Sequence, residues 1–317
     1  MTDYAALIDA ETWAFIERTN SHYPPDTVDY TVAEQRAIYD RMCRAFFVGY
    51  PEGVTAETTA IQLSDRAIPI RVYRSATPDT AAMVLYLHGG GFMLGGLDSH
   101  DDVCAELCGR TGFEVVAVDY RLAPEFRHPA AFDDAVAAFH WAAAAYARPV
   151  VLCGDSAGGN LAAAVSHATR GRVRAPAGQV LIYPGLGGDR NLRSYREHAE
   201  APMLTVRDLD FYATIRGGSS GDATQSPLAD TDFSALPPTV AIAAQCDPLS
   251  SDGEAYRDRI LAAGGKAWWH EEQGLVHGYL RGRHAVGRAG ASFSRIVEAV
   301  SALGRGSWPY EEGGKKS

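Results

Sequence analysis

The feature that most constrains the fold is an alternation of short apolar runs with helical stretches. Six runs of six or seven residues, rich in Val, Ile and Leu, are mostly separated by longer segments with helical periodicity. Such continuous apolar runs are typical of parallel strands buried on both faces by helices. The runs lie at 83–88, 114–120, 149–154, 178–184, 239–245 and 266–272, and the helical stretches at 99–110, 130–147, 157–170, 253–263 and 290–303.

A further segment adds two strands of a different kind. Residues 61–74, IQLSDRAIPIRVYR, alternate between apolar and polar positions, as outer strands do. With 317 residues and 46% hydrophobic content, the chain is able to bury one large core. We therefore expect an α/β fold, with a mostly parallel eight-stranded sheet and helices on both faces.

Three segments lie outside this pattern. Residues 1–50 are helical in pattern, and their large hydrophobes indicate a lid, a dimer surface or plain core packing. Within them, Thr31 and Glu34 have the spacing of a capping box. Residues 189–216 are polar and read as an insertion that folds over one end of the sheet. Residues 304–317 are Gly-rich and charged, which predicts a disordered tail.

Charge and cysteine content limit the partners and the compartment. The net charge of −10 opposes binding to nucleic acid or to an anionic membrane surface. No apolar run is long enough to span a bilayer, and the N-terminus lacks a basic region, so we expect a cytoplasmic protein. The five cysteines are scattered and contain no CxxC, which favours a reducing compartment. Cys104 and Cys108 are four residues apart, a helical spacing. The sequence leaves two interpretations of this pair open: ordinary packing, or a metal or redox role.

The sequence GDSAG places Ser156 between Gly154 and Gly158, directly after one apolar run and before a helical stretch. This is the G-x-S-x-G pattern, in which small flanking residues permit a sharp turn that exposes a serine hydroxyl. The alternative is a structural turn. The helix that follows would favour negative charge near the serine through its dipole.

A second glycine-rich segment, HGGGF at 88–92, follows the run at 83–88. Three consecutive glycines leave backbone N–H groups accessible, and such groups are able to stabilise an oxyanion. A flexible loop or a phosphate-binding loop are the alternatives, but neither a P-loop nor a dinucleotide-binding pattern is present.

A serine nucleophile needs a base and an orienting acid. His277 is the candidate base, because it follows the last apolar run in the glycine-flanked segment GLVHGY. Asp247 follows the run at 239–245 and is the candidate acid, with Asp252 as its rival. The resulting order, Ser156, Asp247, His277, is the order of α/β-hydrolases.

Six segments together resemble the hormone-sensitive-lipase-like branch of the α/β-hydrolases, the bacterial esterases with HGGG and GDSAG motifs. They occur in the expected order and cover most of the chain, from about residue 60 to 303. The segments are HGGGF (88–92), DYRLAPE (119–125), HPAAFDDA (128–135), GDSAGGN (154–160), CDPLSSDGEAY (246–256) and VHGY (276–279).

This resemblance implies an α/β-hydrolase domain over residues 51–303, with a helical cap formed by residues 1–50 and the insertion at about 189–216. It also implies oxyanion donors at the N–H groups of Gly89, Gly90 and Ala157. The loop would then be organised by His88 and Gly91. The chain departs from the branch at Ser251, where an acidic residue is usual, and at Tyr279, where Phe is commoner.

The function that the resemblance implies is hydrolysis of short- to medium-chain carboxylic esters through an acyl-enzyme intermediate, with no cofactor or metal. The expected partner is a small-molecule ester, and the expected state a monomer or homodimer. An amidase or lactonase would use the same residues. A non-catalytic receptor on the same fold is a further alternative, although the triad is complete.

Overall fold

The computed structural model describes residues 2–310, which form an α/β structure around one eight-stranded sheet. The strand order is β1-β2-β4-β3-β5-β6-β7-β8; β2 is antiparallel to both of its neighbours, and the remaining pairs are parallel. The predicted fold class is confirmed. The strands are β1 Val54–Gln62, β2 Ala67–Ser75, β3 Met83–Leu87, β4 Glu114–Val118, β5 Val150–Asp155, β6 Gly178–Ile182, β7 Thr239–Cys246 and β8 Ala267–Val276.

Helices cover both faces of the sheet, and each face has its own apolar core. Helices α4 and α10 contribute to one core, and α5, α6 and α9 to the other. The helices are α1 Tyr4–Leu7, α2 Ala10–His22, α3 Val32–Phe46, α4 Asp101–Thr111, α5 Ala130–Ala145, α6 Ala157–Thr169, α7 Arg193–Glu197, α8 Val206–Arg216, α9 Ser250–Ala262 and α10 Gly287–Gly304.

The central strand β3 shows why its sequence is apolar throughout. Its five residues are all buried, and they divide by parity between the two cores. Val84 and Tyr86 belong to the core beside α4, whereas Met83, Leu85 and Leu87 belong to the core beside α5. Since successive side chains of a strand point to opposite faces, a doubly covered strand needs an apolar residue at every position.

Residues 1–50 and the 189–216 insertion both contain helices. The Thr31 hydroxyl accepts a hydrogen bond from the Glu34 N–H while the Glu34 carboxylate accepts one from the Thr31 N–H, so the predicted capping box begins α3 as expected. Thr205 and Asp208 make the same arrangement at the start of α8, inside the 189–216 insertion.

Two boundaries differ from the sequence expectation. Strand β1 begins at Val54, although most of its side chains are exposed, because it pairs with β2 along its whole length. Of the predicted tail 304–317, the described part packs on the protein, since the Tyr310 ring stacks on Trp268 with 4.5 Å between ring centroids. Residues 311–317 lie outside the described residues.

Among the residues that the structure describes, no helix has both the length and the apolar character that crossing a bilayer requires.

Candidate active site

Ser156 occupies a sharp turn between β5 and α6 at the carboxyl edge of the sheet. Its backbone is in a strained conformation, with φ of 53° and ψ of −116°. Gly158 is required by close packing, since a Cβ there would lie 1.9 Å from the Leu87 carbonyl oxygen, and a Cβ at Gly154 would lie 2.5 Å from the Gly158 oxygen. The two glycines that flank the serine in the sequence therefore allow the turn to sit against β3.

The structure brings His277 and Asp247 to this serine. His277 follows β8, and its Nε2 lies 2.9 Å from the Ser156 Oγ. Asp247 follows β7, and its Oδ2 lies 2.7 Å from the His277 Nδ1. The other Asp247 oxygen accepts a hydrogen bond from the Leu249 N–H at 2.9 Å, and the residue is fully buried. The carboxylate thus holds the imidazole in a fixed orientation, with Nε2 facing the hydroxyl.

The rival acid, Asp252, has different partners. It accepts hydrogen bonds from the N–H groups of Leu186 and Gly188 and from the Tyr195 hydroxyl. Burial raises the pKa of Asp252 to about 6, against the opposing effect of these hydrogen bonds. The carboxylate fastens the start of the insertion to α9 and does not cap α9.

Three backbone N–H groups are open beside Ser156. Those of Gly90, Gly91 and Ala157 have no acceptor within residues 2–310, and all three residues line the cavity above the serine. Gly89 differs from the sequence expectation, because its N–H donates to the Asp155 Oδ1 at 2.9 Å. The geometry therefore replaces Gly89 by Gly91 in the set of accessible donors.

Asp155 is the residue of this site that the sequence analysis missed. Its buried carboxylate accepts hydrogen bonds from the Tyr86 hydroxyl at 2.9 Å and the Gly89 N–H, and the His100 Nε2 lies 3.2 Å away. Burial alone would raise the pKa of Asp155, but His100, the charge of Arg281 and the hydrogen bonds outweigh it and hold the pKa well below its ordinary value. The available signal was an acidic residue at the end of an otherwise apolar strand.

His88 lies beneath the glycine-rich loop. Its ring stacks on Tyr120 with 4.3 Å between centroids, its Nδ1 lies 2.8 Å from the Gly89 carbonyl oxygen, and its own carbonyl accepts the Tyr120 hydroxyl. Burial, with the charge of neighbouring His100, lowers the pKa of His88 to about 4, so the ring is neutral near pH 7. These contacts fit a residue that shapes the loop.

Two charged residues of the DYRLAPE segment form ion pairs with helices. Arg121 pairs with the buried Asp134 at 2.8 Å, and Glu125 pairs with Arg36 of α3 at 2.7 Å. The two side chains do not pair with each other, and each ties the segment to a helix.

The serine opens into a cavity of about 590 Å³. Its far wall comes from the helices outside the sheet, through side chains of α2, α3 and α8. These are Thr19, Tyr39, Met42, Leu209 and Tyr212, together with Tyr23, the residue directly after α2. The cavity is thus lined by segments that are far apart in the sequence.

No cluster of three or more His, Cys, Asp or Glu side chains in the described part of the chain is arranged to hold a metal ion. Cys104 and Cys108 are both buried in the core beside α4.

A mostly parallel eight-stranded sheet with a serine on the turn after β5, and a histidine and an aspartate after later strands, defines the α/β-hydrolase class of proteins. Comparison with known proteins agrees. The model of a family described as alpha/beta hydrolase fold matches residues 84–281, and the chain belongs to this family, in the hormone-sensitive-lipase-like branch that its motifs indicate.

Several relatives have names that describe ester hydrolysis. The chain is 37% identical over 253 residues to carboxylesterase NlhH of Mycobacterium tuberculosis, a match that covers 73% of this chain and 79% of the relative. It is 33% identical over 293 residues to carboxylic ester hydrolase LipN of the same organism, covering 87% of this chain and 77% of the relative. The ethyl acetate hydrolase of Pseudomonas putida is 34% identical over 248 residues, covering 74% and 78%.

Solved structures are similar over nearly the whole chain. An esterase from Pyrobaculum calidifontis superposes with a TM-score of 0.83 at 28% identity, covering 93% of this chain and 99% of the other.

Proposed function

We propose that this chain is a serine carboxylesterase that hydrolyses short- to medium-chain carboxylic esters through an acyl-enzyme intermediate on Ser156. The observation that carries the proposal is the continuous line of contacts from the Ser156 hydroxyl to the His277 imidazole and on to the Asp247 carboxylate, at 2.9 and 2.7 Å. Ester hydrolysis is further supported by the names of the relatives, which include carboxylesterases and an ethyl acetate hydrolase.

In the first half-reaction, the Ser156 Oγ attacks the ester carbonyl carbon while His277 Nε2 takes the hydroxyl proton. The carbonyl oxygen becomes an oxyanion that accepts hydrogen bonds from the N–H groups of Gly90, Gly91 and Ala157. Asp247 stabilises the imidazolium that forms. The C–O bond to the alcohol then breaks, and His277 returns its proton to the leaving alkoxide oxygen.

In the second half-reaction, water replaces the alcohol. His277 removes a proton from this water as its oxygen attacks the acyl carbon, and the same three N–H groups hold the new oxyanion. The bond to Ser156 Oγ then breaks, the serine oxygen regains a proton from His277, and the carboxylic acid leaves.

The helices around residues 1–50 and 189–216 act as a cap in this proposal. They contribute the wall of the cavity opposite the serine, so they would contact the acyl and alcohol parts of the substrate. A cavity of about 590 Å³ accommodates a small ester better than a long triglyceride. An amidase or lactonase would use the same catalytic groups, but the relatives' names favour esters.

The test is hydrolysis of p-nitrophenyl acetate, butyrate, octanoate and palmitate by the wild type and by Ser156→Ala. We expect turnover of the shorter esters by the wild type and a loss of about 10⁴-fold or more in kcat for the variant, as for other triad deletions. A fluorophosphonate label should add its mass to the wild type and not to the variant. Full activity in a folded Ser156→Ala protein would show that the nucleophile lies elsewhere.

A further inference from the structure

One charged side chain in the wall of the cavity has no role in the reaction described above. Arg281 lies four residues after His277, in the turn that follows β8, and lines the cavity. Its Nε donates to the Cys43 Sγ at 3.3 Å, and its Nη2 donates to the Tyr39 hydroxyl. Both partners are neutral groups on α3, so neither compensates the charge of the guanidinium.

The charge of Arg281 has no direct counter-ion. No carboxylate of the described residues lies within 4.0 Å of its guanidinium nitrogens. Arg283, two residues further on, is buried and pairs with Asp102 and Glu106 at 2.7 Å each. Arg281 is half-buried and makes no such ion pair, and a partly buried charge without an ion pair is costly.

One donor of Arg281 is available to a ligand. Its Nη1 has no acceptor within residues 2–310, and it lies 3.6 Å from the position that a Cβ on Gly278 would occupy. Gly278 directly follows His277, so this donor lies close to the base that serves Ser156. A guanidinium that offers an open N–H beside a reaction centre is suited to a carboxylate.

The acidic residues of the cavity wall are already engaged. Asp155 receives hydrogen bonds from Tyr86 and Gly89 and lies beside His100. Asp189 accepts hydrogen bonds from the backbone and side chain of Asn191. The cavity wall contains these two carboxylates and three arginines. Its arginines therefore outnumber its carboxylates, although the net charge of the chain is −10.

The other two lining arginines are less suited to bind an anion. Arg216 donates from Nη1 to the Gln225 carbonyl oxygen and from Nη2 to the Asn160 side-chain oxygen, and its guanidinium lies over the Phe92 ring, 3.5 Å from the centroid, so the side chain is fixed in the wall and its face is covered. Arg190 pairs with Asp210 at 3.2 Å and is 46% exposed, so solvent screens its charge.

We propose that Arg281 binds an anionic group of the substrate, and that this enzyme prefers esters carrying a carboxylate on the acyl or the alcohol part. The proposal rests on the proposed ester hydrolysis at Ser156 and names the substrate class for that site. The carboxylate would accept a hydrogen bond from Nη1 and form the direct ion pair that no carboxylate of the described residues makes with Arg281, without taking part in bond making or breaking.

The test compares matched pairs of esters, one for each part of the substrate. For the acyl part, the pair is the mono-p-nitrophenyl ester of adipic acid and the same ester with the distal carboxylate converted to a primary amide. For the alcohol part, it is 4-(butanoyloxy)benzoate and 4-(butanoyloxy)benzamide. Each kcat/KM is divided by the rate constant of the same ester in alkali, which removes differences in intrinsic reactivity.

For the wild type, we expect the charged member of one pair to be favoured by about tenfold or more, the effect of one charge-assisted hydrogen bond. Arg281→Gln should bring this ratio close to one, whereas Arg281→Lys should retain part of it because the charge stays. Arg190→Gln serves as a matched control for the loss of a cavity-lining arginine, and its ratio should stay within about twofold of wild type.

Three results would overturn the proposal: no preference in either pair, a preference that survives in Arg281→Gln, or an equal loss in Arg190→Gln, which would indicate a general field effect. Failure of the proposed function is separate, because it would appear as p-nitrophenyl butyrate hydrolysis that does not depend on Ser156. Calorimetric affinities of Ser156→Ala for both members of each pair give a readout without hydrolysis, and the charged member should bind more tightly.

Discussion

At the scale of single residues, the site depends on backbone positions that tolerate no larger side chain. Ser156 has a φ of 53°, and Gly154 and Gly158 on either side of it pack so closely that a Cβ at either position would clash. Gly91 is a second such position, with a φ of 61° and the Tyr212 ring 2.5 Å from where a Cβ would lie. Since Tyr212 belongs to α8, this glycine is one of the points where the insertion contacts the glycine-rich loop.

Gly91→Ala is predicted to reduce activity far more than stability. The added methyl group must displace the Tyr212 ring or the loop, and the Gly90 and Gly91 N–H groups would shift from the oxyanion. We expect kcat for p-nitrophenyl butyrate to fall by about 10²-fold, the usual effect of losing one oxyanion donor.

Gly171→Ala is the matched control, because Gly171 has a similar φ of 68° with no atom within 4 Å of its Cβ position. Both variants should lose about 1–2 kcal/mol of unfolding free energy from the left-handed backbone, as urea denaturation would measure, and Gly91→Ala should lose more because of the contact with Tyr212. Only Gly91→Ala should lose activity. Equal activity in the two variants would exclude a role for the contact with Tyr212.

At the scale of elements, Arg36 of α3 contacts two segments near the active site. Arg36 donates to the carbonyl oxygens of Met93 and Ala123 and makes a bidentate ion pair with the Glu125 carboxylate. Met93 directly follows the glycine-rich loop, and Ala123 and Glu125 belong to the DYRLAPE segment. Arg36 therefore holds a cavity-lining helix against the loop that carries the N–H donors.

A double-mutant cycle should separate these contacts. We expect Arg36→Ala to cost about 2–3 kcal/mol of unfolding free energy, because it leaves two carbonyl groups and a carboxylate without their donor. Glu125→Ala should cost less than about 1 kcal/mol, and the coupling between the two should also stay below about 1 kcal/mol, since the Glu125 side chain is 51% exposed. A coupling as large as the Arg36→Ala effect would mean that the ion pair, and not the carbonyl contacts, attaches α3.

At the scale of the whole molecule, Asp155 joins several elements at the carboxyl edge of the sheet. Tyr86 comes from β3, Gly89 from the glycine-rich loop and His100 from the residue before α4, and all three meet the carboxylate at the end of β5. Its pKa is held well below the ordinary value, so its charged form stabilises the folded state.

Asp155→Asn is predicted to change how stability depends on acid. In the wild type, the contribution of Asp155 is fully present above the unfolded pKa of about 3.9 and is lost as pH falls towards the lower folded pKa. At pH 7, the variant should therefore be less stable by about 3 kcal/mol, as when a buried pair loses one partner.

Urea denaturation at pH 7, 5 and 3 tests this. The difference between wild type and Asp155→Asn should be the same at pH 7 and 5 and smaller at pH 3. A difference that does not change with pH would show that the lost hydrogen-bond geometry, and not the charge of Asp155, accounts for the destabilisation.

The sequence by itself determined the sheet, its helices and the order of Ser156, Asp247 and His277. These features depend on local patterns: apolar runs mark doubly covered strands, and motif residues directly after those runs must meet at one edge of the sheet. The structure accordingly brings Ser156 and Asp247 within hydrogen-bonding distance of the two His277 ring nitrogens.

Only the tertiary structure decided which N–H groups are open and which charges are paired. Gly89 and Gly91 are equivalent in the sequence HGGG, and they differ because the Asp155 carboxylate, 66 residues away, accepts the N–H of the first. Arg281 and Arg283 are likewise two arginines of one short segment, yet Asp102 and Glu106 meet only the second. Hydrogen bonds and ion pairs of this kind join residues far apart in the chain, so no local pattern predicts them.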